Sequence, residues 1–372
     1  MCRHSCPVSN ADGRETHTPQ SKMDTLNELR SGKLAWTPEN TAPLYACTGC
    51  RACTGYCEHD NEPALVLMAG RSQANAEGAG HPALEKYPER FRSRDARLAT
   101  KLKEHVPSEQ RGDSGLVGFW PGCDAVDKGM QDLEAALEIF GALGGEPVIV
   151  VDSEQVCGGY PLLAAGYPDM FRWHAERVAN SMAKFKTIIT NCSACLFTVQ
   201  RQYAAEGIDL DVDIISVPEY LTAKLQELPK RTNKKPVYYH DPCHLARYSG
   251  VIEEPRLVLS RIAELRDFDW SHSDAESCPK PIQIPPIAWL AVACVKSPIE
   301  AAEPSSPPAQ PAHTCCAAMR PLASSFAILP RSSPRPWTSS PKPKPIDREQ
   351  RPRRRRAGRI RADSSCDSPA SS

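Results

Sequence analysis

Cys47-Thr-Gly-Cys50-Arg-Ala-Cys53-Thr-Gly-Tyr-Cys57 is the stretch on which the reading of this chain turns. Its first three cysteines recur at every third residue and a fourth follows four residues later, so one short loop can turn its thiolates inward around a single inorganic centre. This C-x2-C-x2-C-x3-C spacing fits a [4Fe-4S] cluster. A C-x2-C pair is also a tetrahedral zinc clip, but zinc sites usually join two well-separated clips, and four closely spaced cysteines suit a cluster better. Structural or disulfide-bonded cysteines are the remaining reading.

Upstream, the chain opens Met1-Cys2-Arg-His-Ser-Cys6-Pro7, which looks like the second half of the same run with its first two cysteines absent. The arrangement resembles two-cluster ferredoxins, in which the fourth cysteine of each run serves the other cluster. That resemblance implies a complete set of Cys6, Cys47, Cys50 and Cys53, and a partial set of Cys2 and Cys57. It also implies a native start upstream of Met1. About forty residues separate the two runs, and Met23, Leu26 and Leu29 recur there at helical spacing, so an all-helical ferredoxin module is expected rather than the compact β-rich one. Glu58 stands where the pattern would carry proline.

Charge is balanced, with 45 basic and 45 acidic residues, which gives no overall pull toward nucleic acid or an anionic membrane. The 16 cysteines come without a basic-apolar-small signal at the start, so a reducing, cytoplasmic setting is expected. No apolar run approaches the roughly 18 to 20 residues that span a bilayer, so any association with the inner membrane would be peripheral, through a partner.

From Gly115 the texture changes. Short apolar runs at Leu116–Trp120, Pro147–Val151, Thr187–Thr190, Asp213–Ser216 and Val237–Tyr239 read as strands. Between several of them lie stretches of helical spacing, as at Met130, Leu133 and Leu137, in Pro168–Phe185 and in Leu196–Glu206. Such alternation predicts a largely parallel sheet covered on both faces, with ligands at the carboxyl ends of its strands. The cysteines sit at those ends: Cys123, then Cys192 and Cys195, then Cys243.

Spacing exposes a repeat. Cys123 to Cys157 is 34 residues, Cys157 to Cys192 is 35, and Cys243 to Cys278 is again 35. Phe-Trp-Pro-Gly-Cys123 and Tyr-His-Asp-Pro-Cys243 open alike. At these residues the chain resembles the cysteine-rich CCG family of heterodisulfide reductase and of the iron-sulfur subunits that serve glycolate, lactate and anaerobic glycerol-3-phosphate oxidation. The order of modules looks most like the glycolate oxidase iron-sulfur subunit. The resemblance implies a first site of Cys123, Cys157, Cys192 and Cys195, able to hold a cluster or zinc, with Gly158 where the family has a second cysteine. It implies a second, incomplete site at Cys243 and Cys278. His240, Asp241 and His244, around Cys243, are read as residues that support that thiol rather than as a hydrolytic pair.

The fold class expected is α + α/β. A helical 4Fe-4S ferredoxin-like domain (1–75) and a helical connector (76–114) precede a first CCG domain (115–235) and the start of a second (236–278). Residues 279–372 hold 18 of the 35 prolines and the run Arg351-Pro-Arg-Arg-Arg-Arg356, a composition that reads as a disordered tail. Its abrupt onset in mid-motif suggests translation in another frame. Nucleic-acid binding by the basic run is not expected, since no aromatic residues interleave it.

These features imply an iron-sulfur electron-transfer subunit with one cluster and room for a second. The resemblance implies a subunit that takes electrons from a flavoprotein dehydrogenase oxidising a 2-hydroxy acid and passes them toward a quinone or another carrier; the chain has no Gly-rich dinucleotide fingerprint, which fits a subunit that borrows its flavin from a partner. A heterodisulfide reductase-like subunit acting on a disulfide, and a zinc-stabilised binding module, are the alternatives.

Overall fold

The computed structural model describes residues 2–275 apart from Asp60 and Asn233, without the side chains of residues 2 and 3. The Cys2 thiol, Cys278 and residues 279–372 therefore lie outside the described residues.

The first half is helical. Thr18 caps the helix Pro19–Arg30, its hydroxyl accepting the Ser21 N–H, and Thr37 caps Pro38–Tyr45 through the Asn40 N–H. Proline follows each cap at the first helical position, where its missing N–H costs nothing. These helices pack on Pro63–Ala76 through Leu26, Leu29, Leu44 and Leu67, all fully buried. A short helix, Ala52–Gly55, carries Cys53. Gly70 is small because a Cβ there would come within 2.8 Å of the Leu26 side chain.

The second half is a parallel sheet. Its strands are β1 (Arg111–Gly112), β2 (Gly115–Trp120), β3 (Val148–Val151), β4 (Phe185–Thr190) and β5 (Asp213–Ser216), in the order β1-β3-β2-β4-β5. Phe119, Val150, Ile188 and Ile189 are fully buried, the mark of strands covered on both faces. The helix Met130–Leu143 returns the chain from β2 to β3, and Pro168–Met182 carries it from β3 across to β4 on the other side of β2. The order therefore reverses between β2 and β4, where Trp120 pairs with Thr190, and at such a reversal an open sheet forms a crevice beyond the carboxyl ends of its strands.

Helix Tyr87–His105 lays Leu98, Ala99 and Leu102 on this sheet beside Phe119 and Phe140. A separate two-stranded parallel sheet pairs β6 (Pro236–Tyr239) with β7 (Glu264–Asp267) through the helix Glu253–Ile262. Helix Pro168–Met182 ends three residues short of the sequence reading, because Phe185 already belongs to β4. Helix Leu196–Glu206 instead begins at Ser193 and passes through a wide π turn at Thr198–Gln202. No helix among the described residues is long and apolar enough to cross a membrane.

Candidate metal centre

Cys6, Cys47, Cys50 and Cys53 line one cavity together with Lys22, Pro63, Ala64 and Leu67. The turn that delivers three of them bends through left-handed backbone at Gly49 (φ 69°) and Arg51 (φ 63°). Glycine accepts that conformation freely, but arginine does not. Arg51 is held there because its guanidinium is paired with Glu62 and also donates to the Arg247 carbonyl at 2.9 Å. The Gly49 N–H points at Cys47 Sγ, 3.4 Å away. Lys22, buried to 1% exposure, brings Nζ to 3.7 Å from Cys6 Sγ.

Burial pushes the Cys53 thiol up to about 12, and the neighbouring Cys47, Cys50 and Cys6 push it the same way. Burial likewise pushes Cys50 up to about 11. Crowded, desolvated thiols of this kind ionise together only around a cationic centre, so the donor set fits an iron-sulfur cluster. Among the described residues, no group of three or more His, Cys, Asp or Glu side chains is placed to hold a single metal ion. Cys57 is half-buried and does not line this cavity.

A second group of thiols occupies the crevice of the sheet. Cys123 follows β2, Cys157 follows β3, and Cys192 and Cys195 follow β4. The Cys195 N–H donates to Cys192 Sγ and the Gly158 N–H to Cys195 Sγ, each at 3.3 Å. The Cys157 thiol donates to Cys123, which pushes Cys123 down and Cys157 up, and Arg94 hydrogen-bonds Cys123 as well. Gly122 has φ 81°, and a Cβ on it would stand 2.4 Å from the Cβ of Cys192, so only glycine lets the two strand ends approach. A Cβ on Gly158 would meet Cys195 at 3.3 Å, which is tight contact for any side chain.

Below this group, Asp95 Oδ1 accepts the N–H groups of Val156 (3.1 Å) and Cys157 (3.0 Å). Burial pushes the Asp95 carboxyl up to about 6. Arg94 and Asp95 were not singled out by sequence reasoning, since on a helix dense in arginine they read as solvated charges. Lys22, between polar Ser21 and apolar Met23 on Pro19–Arg30, likewise carries no sequence signal of burial.

The start of the second cysteine-rich unit reaches the first centre and also packs on the helix Ser193–Phe197 that carries Cys195, with the Phe197 and Tyr248 ring centroids 4.4 Å apart. Cys243 is buried, its Sγ 3.5 Å from His244 Nδ1. A π turn, His244–Tyr248, stacks the rings of those two residues 4.9 Å apart. From it, Arg247 Nε donates to the Cys50 carbonyl (2.7 Å) and the Tyr248 hydroxyl to the Gly49 carbonyl (2.6 Å). Asp241 faces Arg256 in a buried two-point pair, with both contacts at 2.7 Å. Burial pushes both His240 and His244 down, His244 to about 4, so each ring is neutral.

A 4Fe-4S dicluster domain model matches residues 1–61, and a cysteine-rich domain model matches 117–200 and 237–281. The chain is 32% identical over 224 residues to one of the subunits of the fumarate reductase (CoM/CoB) of Methanothermobacter marburgensis, a match covering 60% of this chain and 45% of that protein. It is 24% identical over 266 residues to one of the subunits of the dihydromethanophenazine:CoB--CoM heterodisulfide reductase of Methanosarcina acetivorans, covering 66% and 60%. It is also 24% identical over 264 residues to the probable iron-sulfur-binding oxidoreductase FadF of Bacillus subtilis, covering 63% and 36%. The chain spans about half the length of the curated relatives it matches. No solved structure matches. The resemblance to iron-sulfur subunits of reductase complexes that the cysteine spacing implied is thus met by both domain matches.

Proposed function

We propose that this chain is an iron-sulfur electron-transfer subunit of an oxidoreductase complex, with Cys6, Cys47, Cys50 and Cys53 as the ligands of one [4Fe-4S] cluster. The observation that carries this reading is the single cavity those four thiols line. A cluster held there would accept and release electrons one at a time. Around it, the protein's part is to bind and shield: Pro63, Ala64 and Leu67 keep water from the thiols, while Lys22 and the Gly49 N–H direct positive charge at sulfur.

Cys123, Cys157, Cys192 and Cys195 are proposed to hold a second redox centre or zinc in the crevice, and Cys2 with Cys57 a partial set for another cluster. The donor is proposed to be a flavoprotein partner of the glycolate or lactate type, and any contact with the inner membrane to run through a partner. One observation favours a second reading, action on a disulfide: Cys157 and Arg94 pull the Cys123 thiol below its ordinary value, and one relative carries the name heterodisulfide reductase.

Iron, acid-labile sulfide and zinc per chain on anaerobically purified protein test the proposal, with electron paramagnetic resonance after reduction. About four irons with equal sulfide are expected from the first site, and about eight if the crevice is also filled. Zinc without sulfide would overturn electron transfer and leave a structural module. Turnover of a disulfide without any flavoprotein would favour the second reading.

A further inference from the structure

On the helix Pro19–Arg30, Lys22 shares the buried face with Leu26 and Leu29, where packing alone would ask for another apolar side chain. It is 1% exposed. A lysine is almost never buried so fully without an opposite charge, because its ammonium gives up its hydration. Among the described residues no carboxylate pairs with it, and Nζ has a single hydrogen-bond partner, Cys6 Sγ at 3.7 Å. An ammonium carries three N–H donors, so most of its capacity is unspent.

The wall of the cavity limits what can meet that charge. Lys22 lines the same cavity as Cys6, Cys47, Cys50 and Cys53, and among the described residues no carboxylate lines it. Arg51, the other cation in the wall, is already neutralised by Glu62. Cys6 Sγ also lies 3.6 Å from the His17 carbonyl, to which a thiol can donate. A ligand sulfur has lost that proton, and Lys22 is then the donor left beside it among the described residues.

Resting on the cluster reading above, we propose that Lys22 is a positioning residue for that centre: held against Cys6 Sγ, its ammonium is the fixed counter-charge of the cluster and raises its reduction potential. Reduction adds negative charge to the cavity, and a cation kept in a dry wall beside a ligand sulfur favours that state.

The test is a redox titration of Lys22→Met followed by electron paramagnetic resonance, with iron and sulfide measured on every sample. Methionine keeps an unbranched apolar stem and drops the charge. At a fixed potential, the reduced-to-oxidised ratio is expected to fall about tenfold, or ~59 mV for one electron, with iron content unchanged. Lys22→Arg, which restores the charge, should recover most of that shift. Lys184→Met is the control: Lys184 is exposed and paired with Asp113, so its midpoint should stay at the wild-type value. Wild-type protein isotopically labelled at the lysine side-chain nitrogen keeps the test open if the methionine chain does not fold. Pulsed electron paramagnetic resonance of its reduced cluster should show hyperfine coupling to that nitrogen. An iron-loaded Lys22→Met with unmoved midpoint, an equal shift in Lys184→Met, a Lys22→Arg midpoint as low as that of Lys22→Met, or a reduced cluster without the nitrogen coupling would overturn the role of Lys22. Wild-type protein without iron and sulfide would overturn the cluster reading beneath it, and the role with it.

Discussion

Asp95 shows how much one carboxylate can hold in place. Its Oδ1 accepts the N–H groups of both Val156 and Cys157, so the loop that carries Cys157 hangs from a single oxygen. Asp95→Leu removes the acceptor from two buried donors. A loss of about 2–4 kcal/mol is expected in urea unfolding, whereas Asp95→Asn, which keeps an amide oxygen, should lose less than half of that. Equal losses in the two variants would show that the charge, rather than the hydrogen bonds, matters.

At the level of elements, the turn after β6 depends on an ion pair. Arg256, on the helix Glu253–Ile262, clamps Asp241 with both terminal nitrogens, and Asp241 Oδ2 also takes the His272 N–H at 2.7 Å. Arg256→Met strands a buried carboxylate two residues before Cys243. A cost of about 3–5 kcal/mol is expected by thermal or chemical unfolding, and the double variant with Asp241→Leu should recover part of it. A double variant no more stable than the single one would argue that the carboxylate is not what suffers.

The strands that place the thiols were legible as sequence, because short β-branched and aromatic runs such as Gly115–Trp120 and Val148–Val151 stand between helical stretches. The edge elements were not. β1 is two residues long and β7 reads Glu-Leu-Arg-Asp, mostly exposed, so neither carries an apolar pattern. Nor could spacing show that Asp241 turns to Arg256, since the partner lies 15 residues away on the next helix. The cysteine spacing placed four thiols on one loop system and four on strand ends; what it lacked was the chemistry between them, which comes from lone charges on helices.

Across the whole molecule, Arg71 joins the two halves of the described chain. Fully buried on Pro63–Ala76, it donates to the carbonyls of Leu44 (2.9 Å), Cys47 (2.7 Å) and Ala164 (2.6 Å), so one guanidinium ties two helical segments of the first module to the cysteine-rich unit. Arg71→Met keeps the bulk but leaves three carbonyls without that donor. A loss of about 3 kcal/mol in unfolding is expected, with faster loss of iron to a chelator because the Cys47 turn loosens. Unchanged chelation kinetics would mean the turn holds its shape without the tie.

The wall that closes the first centre has a further consequence, for the order of synthesis. Cys6 and the Cys47–Cys53 turn leave the ribosome early, but the groups that cover the turn, Tyr160, Arg247 and Tyr248, are added about 110 to 200 residues later. Through that interval the nascent thiols stand open to oxygen and to stray metal ions, and their finished enclosure exists only after the last of these side chains has docked.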